Sequence, residues 1–237
     1  RQGQPPQNRS RIAMQRETLR RILHRLLHTL SRPVFLGVEN IPPTGGVIIA
    51  TNHMSRIDTL MLFINPVRTD ITALVADKYQ RYPLFKWILD TGGIIWLDRE
   101  NADFGAMRAA VEALKKGLAL GIAPEGTRSR NAQLQEGKPG TALVALRANV
   151  PIVPVGIAGS EVFFAKAFTL RFPKVTLRFG QPFWLEPLSR ERRSEQLKTY
   201  ADEIMLRIAA LLPDSYHGFY RGHPRIAQIR AEQGLIF

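Results

Sequence analysis

The sequence runs to 237 residues, enough for one generous domain, or a domain with an extension, around a sizeable buried core. It has no cysteine, which excludes disulfides and thiolate metal sites, and it is strongly basic, with 33 Lys and Arg against 20 Asp and Glu for a net charge of +13. No apolar run approaches the ~18 residues that span a bilayer, no signal-peptide core appears, and the chain opens on Arg1 without a methionine, as a piece of a longer protein would.

The basic excess is uneven. Residues 1–32 hold eight basic side chains and one acidic one, Glu17. Arg1 to Ser10 is polar and contains prolines, so it is expected to be disordered. Ile12, Leu19, Ile22, Leu23, Leu26, Leu27 and Leu30 then recur at helical spacing, with Arg16, Arg20, Arg21 and Arg25 mostly off that stripe. Two readings stand open. The helix lies in the interface of an anionic membrane, with Leu19, Arg20, Ile22, Leu23, Leu26 and Leu27 as its contacts, or its stripe packs on the domain. No helix-turn-helix, zinc or aromatic-interleaved basic motif accompanies it, so nucleic acid is not an expected partner. Residues 1–32 are thus read as a disordered start plus a basic amphipathic helix, and 33–237 as the main domain.

From Val34 on, short apolar runs alternate with helical segments. Strands are expected at Val47–Ala50, Ile71–Val75, Ile94–Leu97, Ala119–Ala123, Ile152–Gly156 and Val175–Phe179. Helices are expected at Ile57–Ile64, Leu84–Leu89, Phe104–Lys116, Pro139–Ala148 and Arg190–Leu211. The alternation predicts a single α/β domain, its largely parallel or mixed sheet layered by helices. Ligand sites in such sheets lie beyond the carboxyl ends of the strands.

Polar clusters fall at those ends. Asn52-His53-Met54-Ser55-Arg56-Ile57-Asp58 follows the first of these strands, Asp98-Arg99 follows GGIIWL, and Pro124 to Arg130, PEGTRSR, follows LGIA. On one continuous helix, residues five apart stand ~140° apart. His53 and Asp58 therefore meet only if the chain turns between them, with His53 on the loop and Asp58 in the first turn of the helix. Each cluster also has a plainer explanation. Ser55 and Asp58 outline a capping box, Glu125-Gly126-Thr127 outlines a tight turn with glycine at positive φ, and Arg99 is a solvated strand end. The stretch Val150–Gly159, VPIVPVGIAG, carries prolines that mark an edge or a bend.

Taken in order, NHxSxxD, G-x-I-aromatic-L-D-R, PEGTRS and VPIVPV resemble the glycerolipid acyltransferase family, which includes the 1-acyl-glycerol-3-phosphate and related lysophospholipid acyltransferases. The resemblance covers about Val34 to Gln181. It implies that His53 and Asp58 are the catalytic pair, that Arg128 binds phosphate, and that Arg99 helps bind the acceptor. Glu125 is expected to orient Arg128 or a neighbouring loop, with Gly126 and Thr127 completing the segment. Many members carry a lysine after the second strand. Here that stretch reads ADKYQRYP, so Lys78 is the candidate substitute.

The residue types suit the chemistry. Acyl transfer from a thioester to an alcohol needs the hydroxyl deprotonated as it attacks, and neutral imidazole is the natural base. A carboxylate holds the ring in the useful tautomer and stabilises the imidazolium. No serine nucleophile is required, and without cysteine a thioacyl-enzyme is impossible. Backbone N–H groups at the start of the Ile57 helix are candidates for stabilising the oxyanion. No metal-ligand spacing and no Gly-rich nucleotide loop appear, so no cofactor is implied.

The family uses acyl-CoA or acyl-carrier-protein donors, whose anionic surfaces a chain of pI near 10.7 attracts. The resemblance also favours the membrane reading of the basic helix, at the cytoplasmic face, with Trp87, Trp96 and Val162–Phe168 assisting. The expected reaction makes phosphatidic acid from 1-acyl-glycerol 3-phosphate. The alternatives are another acceptor (glycerol 3-phosphate, another lysophospholipid or a lyso-aminolipid) and a catalytically silent lipid-binding relative.

Overall fold

The computed structural model describes residues 6–98, 104–189 and 191–235, with side chains from residue 13 onward. Seven strands form one mixed sheet: β1 (Arg32–Leu36), β2 (Val47–Thr51), β3 (Thr72–Ala76), β4 (Ile95–Leu97), β5 (Ala119–Ile122), β6 (Ile152–Ala158) and β7 (Lys174–Phe179), in the order β1-β7-β6-β2-β5-β3-β4. All neighbours run parallel except β6 and β7, so β1 and β7 run against the other five. Eight α-helices are described: α1 (Pro6–Leu30), α2 (Asp58–Phe63), α3 (Pro83–Thr91), α4 (Phe104–Lys115), α5 (Gly140–Ala148), α6 (Phe163–Phe168), α7 (Arg193–Ala210) and α8 (Pro224–Glu232). Edge strand β1 and helices α6 and α8 go beyond the periodic pattern, being short or, for β1, interrupted by Pro33.

Each face of the sheet carries its own apolar core. Helices α4, α5, α7 and α8 cover one face, where Leu120, Ile152, Val144, Ile204 and Ile208 meet. Helices α1, α2 and α6 cover the other around Ile49, Val153, Leu177 and Met61. The central strand β2 is buried at every residue, as a strand covered on both faces must be.

Helix α1 corrects two expectations. It begins at Pro6, taking in half of the segment that composition marks as disordered. Leu19, Leu23 and Leu27 are not free for a membrane: at 5, 5 and 3 % exposure they belong to the core. Their spacing of four residues puts them on one helix face, and that face packs against β1, α2 and α3. Arg20 is likewise turned inward, donating to the Asn65 carbonyl as Arg16 does to Ile71. Only Ile22 and Leu26 of the six expected contacts remain exposed.

Strand β6 corrects the proline expectation in part. It is an interior strand, paired with β2 on one side and β7 on the other. The register against the returning chain slips by one residue between Val155↔Phe179 and Ile152↔Phe183. Pro154, which has no N–H to donate, faces this bulge and accepts from Gly180 N–H at 2.9 Å.

The end of the sheet away from the strand carboxyl termini is locked by Arg68, which is 1 % exposed. Its five N–H groups reach both Asp70 oxygens and the carbonyls of Pro42, Gly45 and Gly117 at 2.7–2.9 Å. These ties hold the segments that enter β2, β3 and β5, the strands whose other ends form the site. The Arg68 hydrogen bond keeps the Asp70 carboxyl below its ordinary value.

Candidate active site

Neighbouring strands β2 and β5 send their connections to opposite faces: α2 packs in one core and α5 in the other. A crevice opens where chains part in this way. It is enlarged because β3 pairs with β5 only at Thr72↔Leu120 and Ala73↔Gly121. Beyond Gly121 the strands diverge, and residues on both sides of the split line a cavity of about 330 Å³. Leu62, Phe63, Ile71, Leu74, Ile94 and Met107 give it apolar walls, while His53, Asp58, Asp98 and Lys138 bring charge or titratable groups to it.

His53 stands on the loop after β2 and Asp58 begins α2, so the chain turns between them as the spacing demands. His53 Nδ1 lies 3.0 Å from Asp58 Oδ2. The same oxygen accepts from the N–H groups of Met54 and Ser55 at 2.7 Å each. The loop before α2 is pinned by the oxygen that orients the imidazole, so the two roles are one arrangement, while no side chain caps the helix itself. Asp58 is 1 % exposed, and its Oδ1 has no partner among the described residues. Three donors thus converge on the single oxygen Oδ2. Nδ1 is committed to it, which leaves Nε2 for a substrate proton. The Met54 and Ser55 N–H groups, being bound to Asp58, are not available to an oxyanion.

Of the two places expected for Glu125, the structure shows the neighbouring loop. Glu125 does not hold Arg128; its Oε1 accepts from His53 N–H and its Oε2 from Gln135 N–H, each at 3.1 Å. At 1 % exposure, burial pushes its carboxyl up to about 7 against the pull of those two bonds. Ser129 N–H donates to the His53 carbonyl at 2.8 Å, so both backbone groups of His53 are held by the PEGTRS turn. Gly126 sits at φ 69°, as the turn reading required, and lines the cavity. Thr127 is exposed and Arg128 half-buried on the same loop, neither in the cavity wall. Lys78 is also outside the wall, exposed, its ammonium 5.6 Å from the centre of the Tyr79 ring. Arg99 lies outside the described residues.

Two residues escape sequence reasoning. Asn52 is fully buried and pairs with both Ile157 backbone groups, Oδ1 accepting at 2.7 Å and Nδ2 donating at 2.9 Å. It thereby joins the first polar block to VPIVPVGIAG. Lys138 lines the cavity, and its only local signal is a lysine between glycine and proline ahead of a helix. Among the described residues, no group of three His, Asp or Glu stands ready to hold a metal ion.

The Acyltransferase family model matches residues 32–158, from β1 to the end of β6. A 1-acyl-sn-glycerol-3-phosphate acyltransferase of Borreliella burgdorferi is 31% identical over 135 residues, covering 56% of this chain and 54% of that protein. One from Limnanthes douglasii is 28% identical over 168 residues, covering 69% of this chain and 59% of its own. The crystal structure of the 1-acyl-sn-glycerophosphate (LPA) acyltransferase PlsC from Thermotoga maritima superposes with a TM-score of 0.62 at 27% identity, over 80% of this chain and 76% of that one. The chain spans about half the length of the curated relatives it matches. With the family match covering more than half of its residues, and His53, Asp58 and the PEGTRS turn inside the matched region, this chain belongs to the acyltransferase family.

Proposed function

We propose that this protein is a 1-acylglycerol-3-phosphate O-acyltransferase, moving a fatty acyl group from acyl-CoA or acyl-carrier protein to the free hydroxyl of 1-acyl-glycerol 3-phosphate. The observation that carries the proposal is the His53 Nδ1–Asp58 Oδ2 contact of 3.0 Å at an apolar cavity of about 330 Å³. Nε2 takes the proton of the acceptor hydroxyl as its oxygen attacks the thioester carbonyl carbon. The carbon–sulfur bond then breaks, and the leaving thiolate recovers the proton from the imidazolium. Asp58 faces the imidazolium that forms, and the apolar walls receive acyl chain. Arg128, half-buried and without an ionic partner among the described residues, is assigned to phosphate at the rim on the strength of the family resemblance.

The acceptor is a lipid, and the surface suits a bilayer face. Ile22 and Leu26 project from α1 beside exposed Arg21 and Arg25. Leu84 and Trp87, at 73 and 57 % exposure, project from α3, against which α1 packs. Apolar side chains flanked by arginines favour an anionic interface. No helix among the described residues is long and apolar enough to cross a membrane, which makes surface attachment the form proposed.

The test is a mass-spectrometric screen with one labelled acyl-CoA and a panel of lysolipids. Phosphatidic acid is the expected product, and His53→Ala is expected to slow its formation ~10²–10⁴-fold without unfolding the chain. Transfer to none of the panel would favour a silent lipid-binding relative instead.

A further inference from the structure

Four groups with charge or a titrating proton line the cavity: His53, Asp58, Asp98 and Lys138. Two have assigned places, because the Asp58 oxygen that faces His53 is taken by three donors and His53 is the base. Lys138 is the basic side chain of the wall that the proposed chemistry does not use. Its ammonium forms no ion pair or hydrogen bond among the described residues.

The side chain of Lys138 is exposed, and its backbone is held firmly. Its stem crosses the turn at Gly126, where an added β-carbon would stand 3.1 Å from Lys138 Cδ and 3.3 Å from Nζ. Its own N–H donates to the Pro124 carbonyl at 2.9 Å. The residue before it, Gly137, is pressed against α7, a β-carbon there falling 2.6 Å from Met205 Cγ, and its N–H is bound by the Tyr220 hydroxyl at 2.9 Å. The turn that Lys138 crosses is the one that grips the His53 backbone through Glu125. Cation and base are thus mounted on one frame, and Lys78, the expected substitute, is not.

We infer that Lys138 binds the phosphate of the acceptor while His53 takes its hydroxyl proton. This rests on the acceptor class proposed above, where the reacting hydroxyl and the phosphate are separated by only two carbons and an ester oxygen. His53 and Lys138 line one cavity, so an acceptor of this kind presents both of its groups to the same site. Gly126 leaves the space: a side chain there meets the lysine stem, and the turn disfavours one at φ 69°.

The experiment compares wild type with Lys138→Ala, Lys138→Gln and Lys138→Arg, using full-length protein. Initial rates are measured against donor concentration and against two acceptors, 1-acyl-glycerol 3-phosphate and its phosphate-free counterpart 1-acyl-glycerol. Binding of a short-chain 1-acyl-glycerol 3-phosphate is followed by calorimetry, which needs no turnover. Loss of a charge-assisted contact raises the KM and Kd for the phosphorylated acceptor ~10–100-fold in the Ala and Gln variants. Arg restores part of the loss, and the donor KM and melting temperature stay at wild-type values. Equal losses on both acceptors, or a raised donor KM, overturn the inference; the latter assigns Lys138 to the donor's phosphates. If wild type acylates only some other phosphorylated lysolipid, the proposed acceptor fails. The same split, run between that lipid and its dephosphorylated form, then decides Lys138 separately.

Discussion

Asp58 separates a structural from a chemical role because one oxygen serves both. In Asp58→Asn, an amide oxygen in the place of Oδ2 still accepts from Met54 N–H, Ser55 N–H and the imidazole. The amide nitrogen occupies the place of Oδ1, which has no partner among the described residues. The loop stays capped, but the negative charge that would face the imidazolium is gone. The expected result is a kcat lower by ~10²–10⁴-fold, the scale of general-base catalysis, with the melting point moved by only a few degrees. Asp58→Ala does something different, leaving two buried N–H groups without an acceptor. At ~1–3 kcal/mol each the loss is about 2–6 kcal/mol. For a chain of this size that lowers the melting temperature by roughly 5–20 °C. The assay pairs thermal unfolding with initial rates of thiol release from acyl-CoA. An Asn variant as active as wild type, beside an Ala variant that merely unfolds, would falsify the catalytic role and leave Asp58 a cap.

Glu125 has a pH signature. Its folded value of about 7 lies above the ordinary 4.5, so between those pH values the native state holds the proton more tightly than the unfolded chain. Stability from this group is therefore present at low pH, falls by about 3 kcal/mol on raising pH through that window, and is flat above it. Denaturant titrations of wild type and Glu125→Gln at pH 5 and 7.5 measure it: the variant lacks the fall, and parallel slopes would refute the assignment. On α1, Leu23→Ala is expected to cost about 2–5 kcal/mol of stability as a core truncation. The Ile22→Ala/Leu26→Ala pair leaves the melting temperature in place and weakens co-sedimentation with anionic vesicles. Unimpaired vesicle binding by that pair would rule out this face as the attachment surface.

The order of elements was legible because each strand is a short apolar run and each helix carries a 3.6-residue pattern, local properties that survive in one dimension. The pairing of His53 with Asp58 was legible for a similar reason: five residues across a strand-to-helix turn leave few geometries, and one of them closes the hydrogen bond. What the basic helix does was not. The Leu19, Leu23 and Leu27 stripe reads the same whether lipid or protein covers it, and only the packed structure decides that the core does.

Glu125 shows the other limit. A carboxylate three residues from an arginine suggests a pair, yet its partners are the backbone groups of residues 53 and 135, one 72 positions away. Asn52 reaches 105 positions to Ile157 in the same way. Lys138 carries no periodic signal at all; it reaches the cavity because α5 follows β5 onto the face opposite α2, and because Gly126 leaves room for its stem. Sequence determined which residues turn, alternate and pack locally. Which of them share a cavity depended on sheet order and on the two-residue ladder between β3 and β5, where the strands part. Long-range pairing is a property of the folded sheet, and no local pattern encodes it.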